Sequence, residues 1–167
     1  LGSLLVREGK TAEAVKVFEA SLQGKPKFGP AMSALASLLE RTKGSAEAEA
    51  YLRKQIESHP DVGPPHAALA QLLARKGSFV EAREEAIKAL KFDERDPQAT
   101  LALGMVFRRQ KKFELSTMAL TQSIEVDPKL GEAYNELGLI NVVQKDNLRA
   151  LANFEQASLA NEDVAHF

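Results

Sequence analysis

Three histidines, one cluster of acids and one column of arginines are the residues here whose types invite chemistry. His59, His66 and His166 stand in no metal-ligand spacing such as HExxH. No GxSxG, phosphate-binding loop or GxGxxG is present, so nucleophilic and nucleotide chemistry have no recognisable frame. Glu81, Glu84 and Glu85 lie close together, but on a helix they read as a solvated outer face. No catalytic, cofactor-binding or metal-binding residue is therefore expected, and the chain is read as not an enzyme. The arginines are different. Arg7, Arg41, Arg75 and Arg109 follow one another at intervals of 34 residues, and Val143 takes the next place. Guanidinium forks grip carboxylates in bidentate fashion, which makes such a row a candidate for binding acidic groups. A cation near a helix C-terminus is also favoured by the macrodipole alone.

The composition bounds what those arginines can serve. Net charge is −1, from 22 basic and 23 acidic residues, without the basic excess of a nucleic-acid binder. With 44% hydrophobic and 27% charged residues, the 167-residue chain has the content of a folded protein. It contains no cysteine, hence no disulfide framework or thiolate site. No apolar run approaches the roughly 18 residues of a membrane span. The compartment stays open between cytoplasm and periplasm.

The interval between the arginines extends to the whole chain. Leu-Gly recurs at Leu103-Gly104 and Leu137-Gly138, and the chain opens with Leu1-Gly2. With Leu137-Gly138 at places seven and eight of a 34-residue unit, place seven reads Leu1, Leu35, Leu69, Leu103 and Leu137. Place eight reads Gly2, Ala36, Ala70, Gly104 and Gly138, and place 20 reads Ala14, Ala48, Ala82, Ser116 and Ala150. Place 24 carries Phe18, Leu52, Ala86, Leu120 and Phe154. Apolar residues recur by three or four, as on a buried helix face. Gly9, Gly44 and Gly77 punctuate the middle of units, while KPKFGP, HPDVGPP, ERDP and DPKLG separate them. Each unit is thus predicted to be a helix–turn–helix pair. Its small residues should lie where the two helices cross, because bulk there would push the backbones apart.

These columns resemble the tetratricopeptide repeat over the whole chain, with Tyr134, Leu137, Gly138, Ala150, Phe154 and Ala157 as the best copy. Asn141 and Glu162 depart from its pattern, where an aromatic and a proline are usual. A 35-residue RNA-reading array would drift against this register, and no drift is seen. The resemblance implies an all-α, right-handed α-solenoid. The expected units are a partial repeat over residues 1–28, repeats over 29–62, 63–96, 97–130 and 131–164, and the start of another over 165–167. That register cuts through a repeat at both ends, so the native protein is expected to continue on both sides. At place four, usually an aromatic core place, His66 should be a packed imidazole.

The family offers a concave groove, lined by places two, five, nine, 12 and 13 of the first helices. Here its first half should be polar and small, as at Ser33 and Ser37, and its second half apolar. Leu101, Met105, Leu139, Val142 and Val143 are expected to form an exposed apolar patch. Arg75, Arg108 and Arg109 should flank that patch, and Gln71, Asn135 and Arg41 complete the candidate partner-binding residues. Glu8 and Glu40 are expected to relieve repulsion along the first part of the arginine row. Two specialised family modes are excluded. Place five has no Lys and place nine no Asn for a carboxylate clamp, and the five asparagines belong to a single unit rather than a ladder. The expected function is a non-catalytic scaffold or adaptor holding a protein or peptide with apolar and acidic residues. No nucleic acid and no membrane span are implied, and fragments should associate end to end. The Ala-rich units with Lys-Pro turns are similar in style to bacterial arrays that assemble envelope or motility machinery. The alternative is a regulatory or targeting arm of an enzyme whose catalytic domain lies elsewhere.

Overall fold

The computed structural model describes residues 1–25 and 28–163, and among these it holds ten helices and no strand. Pro26, His166 and the expected start of a further unit at 165–167 lie outside the described residues. The helices are α1 (Gly2–Arg7), α2 (Thr11–Gly24), α3 (Gly29–Lys43), α4 (Ser45–Ser58) and α5 (Pro64–Lys76). They continue with α6 (Phe79–Phe92), α7 (Pro97–Arg109), α8 (Phe113–Val126), α9 (Gly131–Val143) and α10 (Asn147–Asp163). Each odd-numbered helix packs against the even-numbered one that follows, and first helices stack as α3 on α5, α5 on α7 and α7 on α9. The result is an all-α solenoid.

Local chemistry sets the helix ends. Prolines enter the first turns of α3, α5 and α7, where a missing N–H costs nothing. Asp96 caps α7, its Oδ1 accepting hydrogen bonds from the Gln98 and Ala99 amides at 2.8 and 3.2 Å. Burial pushes the Asp96 carboxyl up, while those two amides and the nearby Asp93 act in opposite senses. The turns inside the units need a left-handed residue. Gly9, Gly44 and Gly77 take φ of 74°, 94° and 88°, and Lys111 and Lys145 take φ of 60° and 62° without being glycine. Gly44 alone separates α3 from α4, at ψ 165°, a region open only to glycine.

Small residues sit at the helix crossings. A Cβ on Gly2, Gly104 or Gly138 would come within 2.6, 2.6 and 2.5 Å of Phe18, Leu120 and Phe154 respectively. Ser116, the one hydroxyl in the place-20 column, donates to the Gly104 carbonyl at 2.7 Å. Between crossings, Leu35, Leu52, Leu69, Leu72, Leu101 and Leu120 are fully buried.

The coil is wound more tightly than a stack in which each unit meets only its neighbours. α3 also touches α7, two units further on. Gly29 faces the side chain of Gln98, and a cavity of about 500 Å³ is shared by Phe28, Pro30 and Ala31 with Leu130, Gly131 and Glu132.

Candidate partner-binding surface

That tight winding decides which candidate residues reach solvent. Leu101 is 0% exposed, Met105 7% and Gln71 1%, so the expected patch loses two of its five members. The reason is that α5, α9 and the crossing α3 cover the inner stripe of α7. Gln71 is held in the same layer, its Nε2 donating to the Gln98 carbonyl at 3.0 Å and to Gln98 Oε1 at 2.8 Å. Ser33, expected to line a polar half, is buried as well. What stays open is the C-terminal end of the surface: Val142 at 49%, Val143 at 59%, an exposed Asn135 and a half-buried Leu139.

The arginine row is broken up by carboxylates. Arg75 Nε donates to Glu40 Oε2 at 2.8 Å, bridging α5 to α3. Arg108 pairs with Glu136 of α9, through Nε to Oε2 and through Nη2 to Oε1 at 3.3 Å. Both pairs are largely shielded from water. Glu40 therefore serves the third arginine of the row, and Glu8 instead meets Lys10 at 2.7 Å. Glu132, an exposed residue of α9, lies within electrostatic reach of Arg75, Glu136 and Glu40. Three carboxylates thus share this region with two guanidiniums, and neither Arg75 nor Arg108 is left free for an acidic ligand. Arg41 and Arg109 are exposed and make no ion pair among the described residues.

Glu132, Glu136 and Gln98 were missed in the sequence. The signal for Glu136 was present, since it stands 28 residues after Arg108, at places six and 12 of adjoining units. Neighbouring first helices bring such places side by side.

The acidic trio on α6 needs a correction. Glu84 is exposed and Glu81 meets Arg53 at 2.6 Å, but Glu85 is only 5% exposed. It follows Ala82 by three residues and precedes Ala89 by four, which places it on the inner stripe. His66 is packed as expected, 8% exposed and stacked on Phe92 with ring centroids 6.0 Å apart. Its Nδ1 lies 2.6 Å from Glu85 Oε2, and Lys88 donates to Glu85 Oε1 at 2.6 Å. This is a structural clasp between α5 and α6. Among the described residues no three His, Cys, Asp or Glu side chains gather around a metal-sized site, and no helix is long and apolar enough to cross a membrane.

The tetratricopeptide repeat pattern matches residues 1–62 and 67–117, and the chain belongs to that family. No curated protein sequence matches it. Among solved structures, MamA aligns over 100% of this chain and 98% of its own, at 17% identity and a TM-score of 0.56. TTC0263, a tetratricopeptide repeat protein of Thermus thermophilus, aligns over 94% of this chain and 86% of its own, at 20% identity and a TM-score of 0.69. The Cut9–Hcn1 hetero-tetramer of APC/C aligns over 93% of this chain and 31% of its own, at 18% identity and a TM-score of 0.70. These likenesses establish the fold. Proteins of the family are generally non-catalytic scaffolds that bind other proteins.

Proposed function

We propose that this chain is a non-catalytic adaptor that holds a partner segment at the C-terminal end of its concave side. One observation carries the reading: Val142 and Val143 are adjacent and exposed, beside the half-buried Leu139. Arg109 occupies the same register place on α7 as Val143 on α9, and among the described residues it is a cation without an internal ion-pair partner. A partner with one or two large apolar side chains and an adjacent Asp or Glu matches this pairing. Apolar contact supplies the affinity, and the guanidinium sets orientation and encounter rate. That the Cut9–Hcn1 structure is an assembly of two different chains accords with a binding role for the fold.

The test is a titration of the natural partner against Leu139→Asp, Arg109→Glu and Ser37→Asp. Leu139→Asp should abolish binding by placing an unpaired charge in the contact. Arg109→Glu should weaken it more at low than at high salt. Ser37→Asp should do little, and equal damage from Ser37→Asp and Leu139→Asp would refute the placement. End-to-end self-association belongs to the same proposal, supported by the exposed Leu148, Leu151 and Leu159 of α10. Sedimentation velocity checks it, and a monomer at every concentration would remove it.

A further inference from the structure

On the opposite side of α7, the chain leaves a second apolar surface uncovered. Thr100, Leu103 and Phe107 fall about 120–180° round the helix from Arg109, at about 100° per residue. They floor a groove of about 780 Å³ between α6 and α8. Its apolar walls are Leu90 of α6 with Leu115 and Met118 of α8, and the last two are 46% and 69% exposed.

The α6 side of the groove is built from short side chains. At place 24 the other units carry Phe or Leu, whereas α6 carries Ala86, between Ala82 and Ala89. All three alanines are 0% exposed, and none is long enough to reach over the neighbouring unit. Leu35 and Leu69, the place-seven residues of the two preceding units, are 0% exposed, whereas Leu103 and Leu137 are half-buried.

Charge selects the occupant. The lining contains two acids, Glu94 and Glu125, and no lysine or arginine. Both acids are exposed, and neither makes an ion pair among the described residues. They sit near Thr100 at one end of the groove, while Phe107, Leu115 and Met118 crowd the other. We infer that this groove docks a basic amphipathic helix of a partner protein, its apolar stripe on Leu103, Phe107 and Met118 and its Lys or Arg side chains at Glu94 and Glu125. A helix seated in this way buries leucine-sized side chains at i, i+3, i+4 and i+7 and exposes the rest. With the concave surface on the other side of the same helix, the chain joins two partners back to back.

The probe is a fluorescently labelled helical peptide of about 18 residues, long enough to hold a helix. It carries Leu at i, i+3, i+4 and i+7 with Lys on the flanks, and a second peptide carries Glu in place of each Lys. Fluorescence anisotropy should show the Lys peptide binding and the Glu peptide at least about tenfold weaker. Met118→Glu, a change at an exposed side chain, should weaken the Lys peptide by about tenfold or more. The Glu94→Lys/Glu125→Lys double variant should reverse the preference between peptides. Leu139→Asp should leave the affinity unchanged, which separates this surface from the concave one. The inference is overturned if the Lys peptide does not bind at millimolar concentration or if both peptides bind alike. It is equally overturned if Met118→Glu has no effect while circular dichroism reports the wild-type helix content, or if Leu139→Asp removes binding.

Discussion

The Cβ that Gly104 lacks would lie 2.6 Å from Cδ2 of Leu120, and Leu120 is fully buried. The two residues occupy places eight and 24 of one unit, and the same pairing recurs as Gly2 with Phe18 and Gly138 with Phe154. In the two described units where place eight is alanine, its place-24 counterpart is Leu52 in one and Ala86 in the other. The glycine is thus required where the opposing side chain lies this close to the backbone, as Leu120 does at Gly104.

Gly104→Ala should therefore destabilise the chain, although alanine is the better helix former by about 1 kcal/mol. Overpacking a closed core site costs about 1–3 kcal/mol, and Leu120 has no room to yield. Gly138→Ala should cost less, because Phe154 is only half-buried and its ring can turn aside. Urea midpoints of the two variants give the comparison.

Lys111 and Lys145 hold left-handed backbone at φ 60° and 62°. A side chain there costs about 1–2 kcal/mol in the folded state, part of which glycine returns as extra freedom when unfolded. Lys145→Gly should raise stability by about 0.5–1 kcal/mol. Gly44→Ala should lower it by about 1–3 kcal/mol, since its φ of 94° with ψ of 165° admits only glycine. Thermal midpoints should move in opposite directions.

Glu85 supplies a pH test. Burial pushes its carboxyl up, but hydrogen bonds from His66 and Lys88 outweigh burial and hold it below the usual 4.5. A depressed pKa means that, between the folded value and 4.5, the unfolded state binds more protons, so stability rises with pH there. Its contribution is full above 4.5 and is lost as pH falls through the folded value. Glu85→Gln should consequently be less stable than wild type at neutral pH, and the gap should narrow below pH 4.5. Guanidinium unfolding at a series of pH values measures that gap.

The parts of the fold legible in the sequence were those with a side-chain signature inside one unit. The leucines of place seven and the small residues of place eight repeat in register, and Gly9, Gly44 and Gly77 advertised their turns. Lys111 and Lys145 gave no such sign, because lysine has no preference for left-handed backbone. Glu85 was misread by counting acids rather than following its angle from Ala82 and Ala89. Leu101 and Met105 could not be placed from periodicity, since their burial depends on how tightly the superhelix winds. That curvature sums small angles over several units, and no column records it. The candidate site suffered accordingly: its register was readable, but which members face water was set by α3 reaching α7.

The same contact between α3 and α7 gives the solenoid an elastic character. An open coil lengthens smoothly when pulled, as small rotations accumulate at every joint. Here units two apart already touch, through Gly29 at Gln98, whose side chain is itself held by Gln71 of the unit between. Tension along the axis must first part that seam before the joints can flex. The molecule is then a closed spring with a threshold, stiff under light load and compliant beyond it.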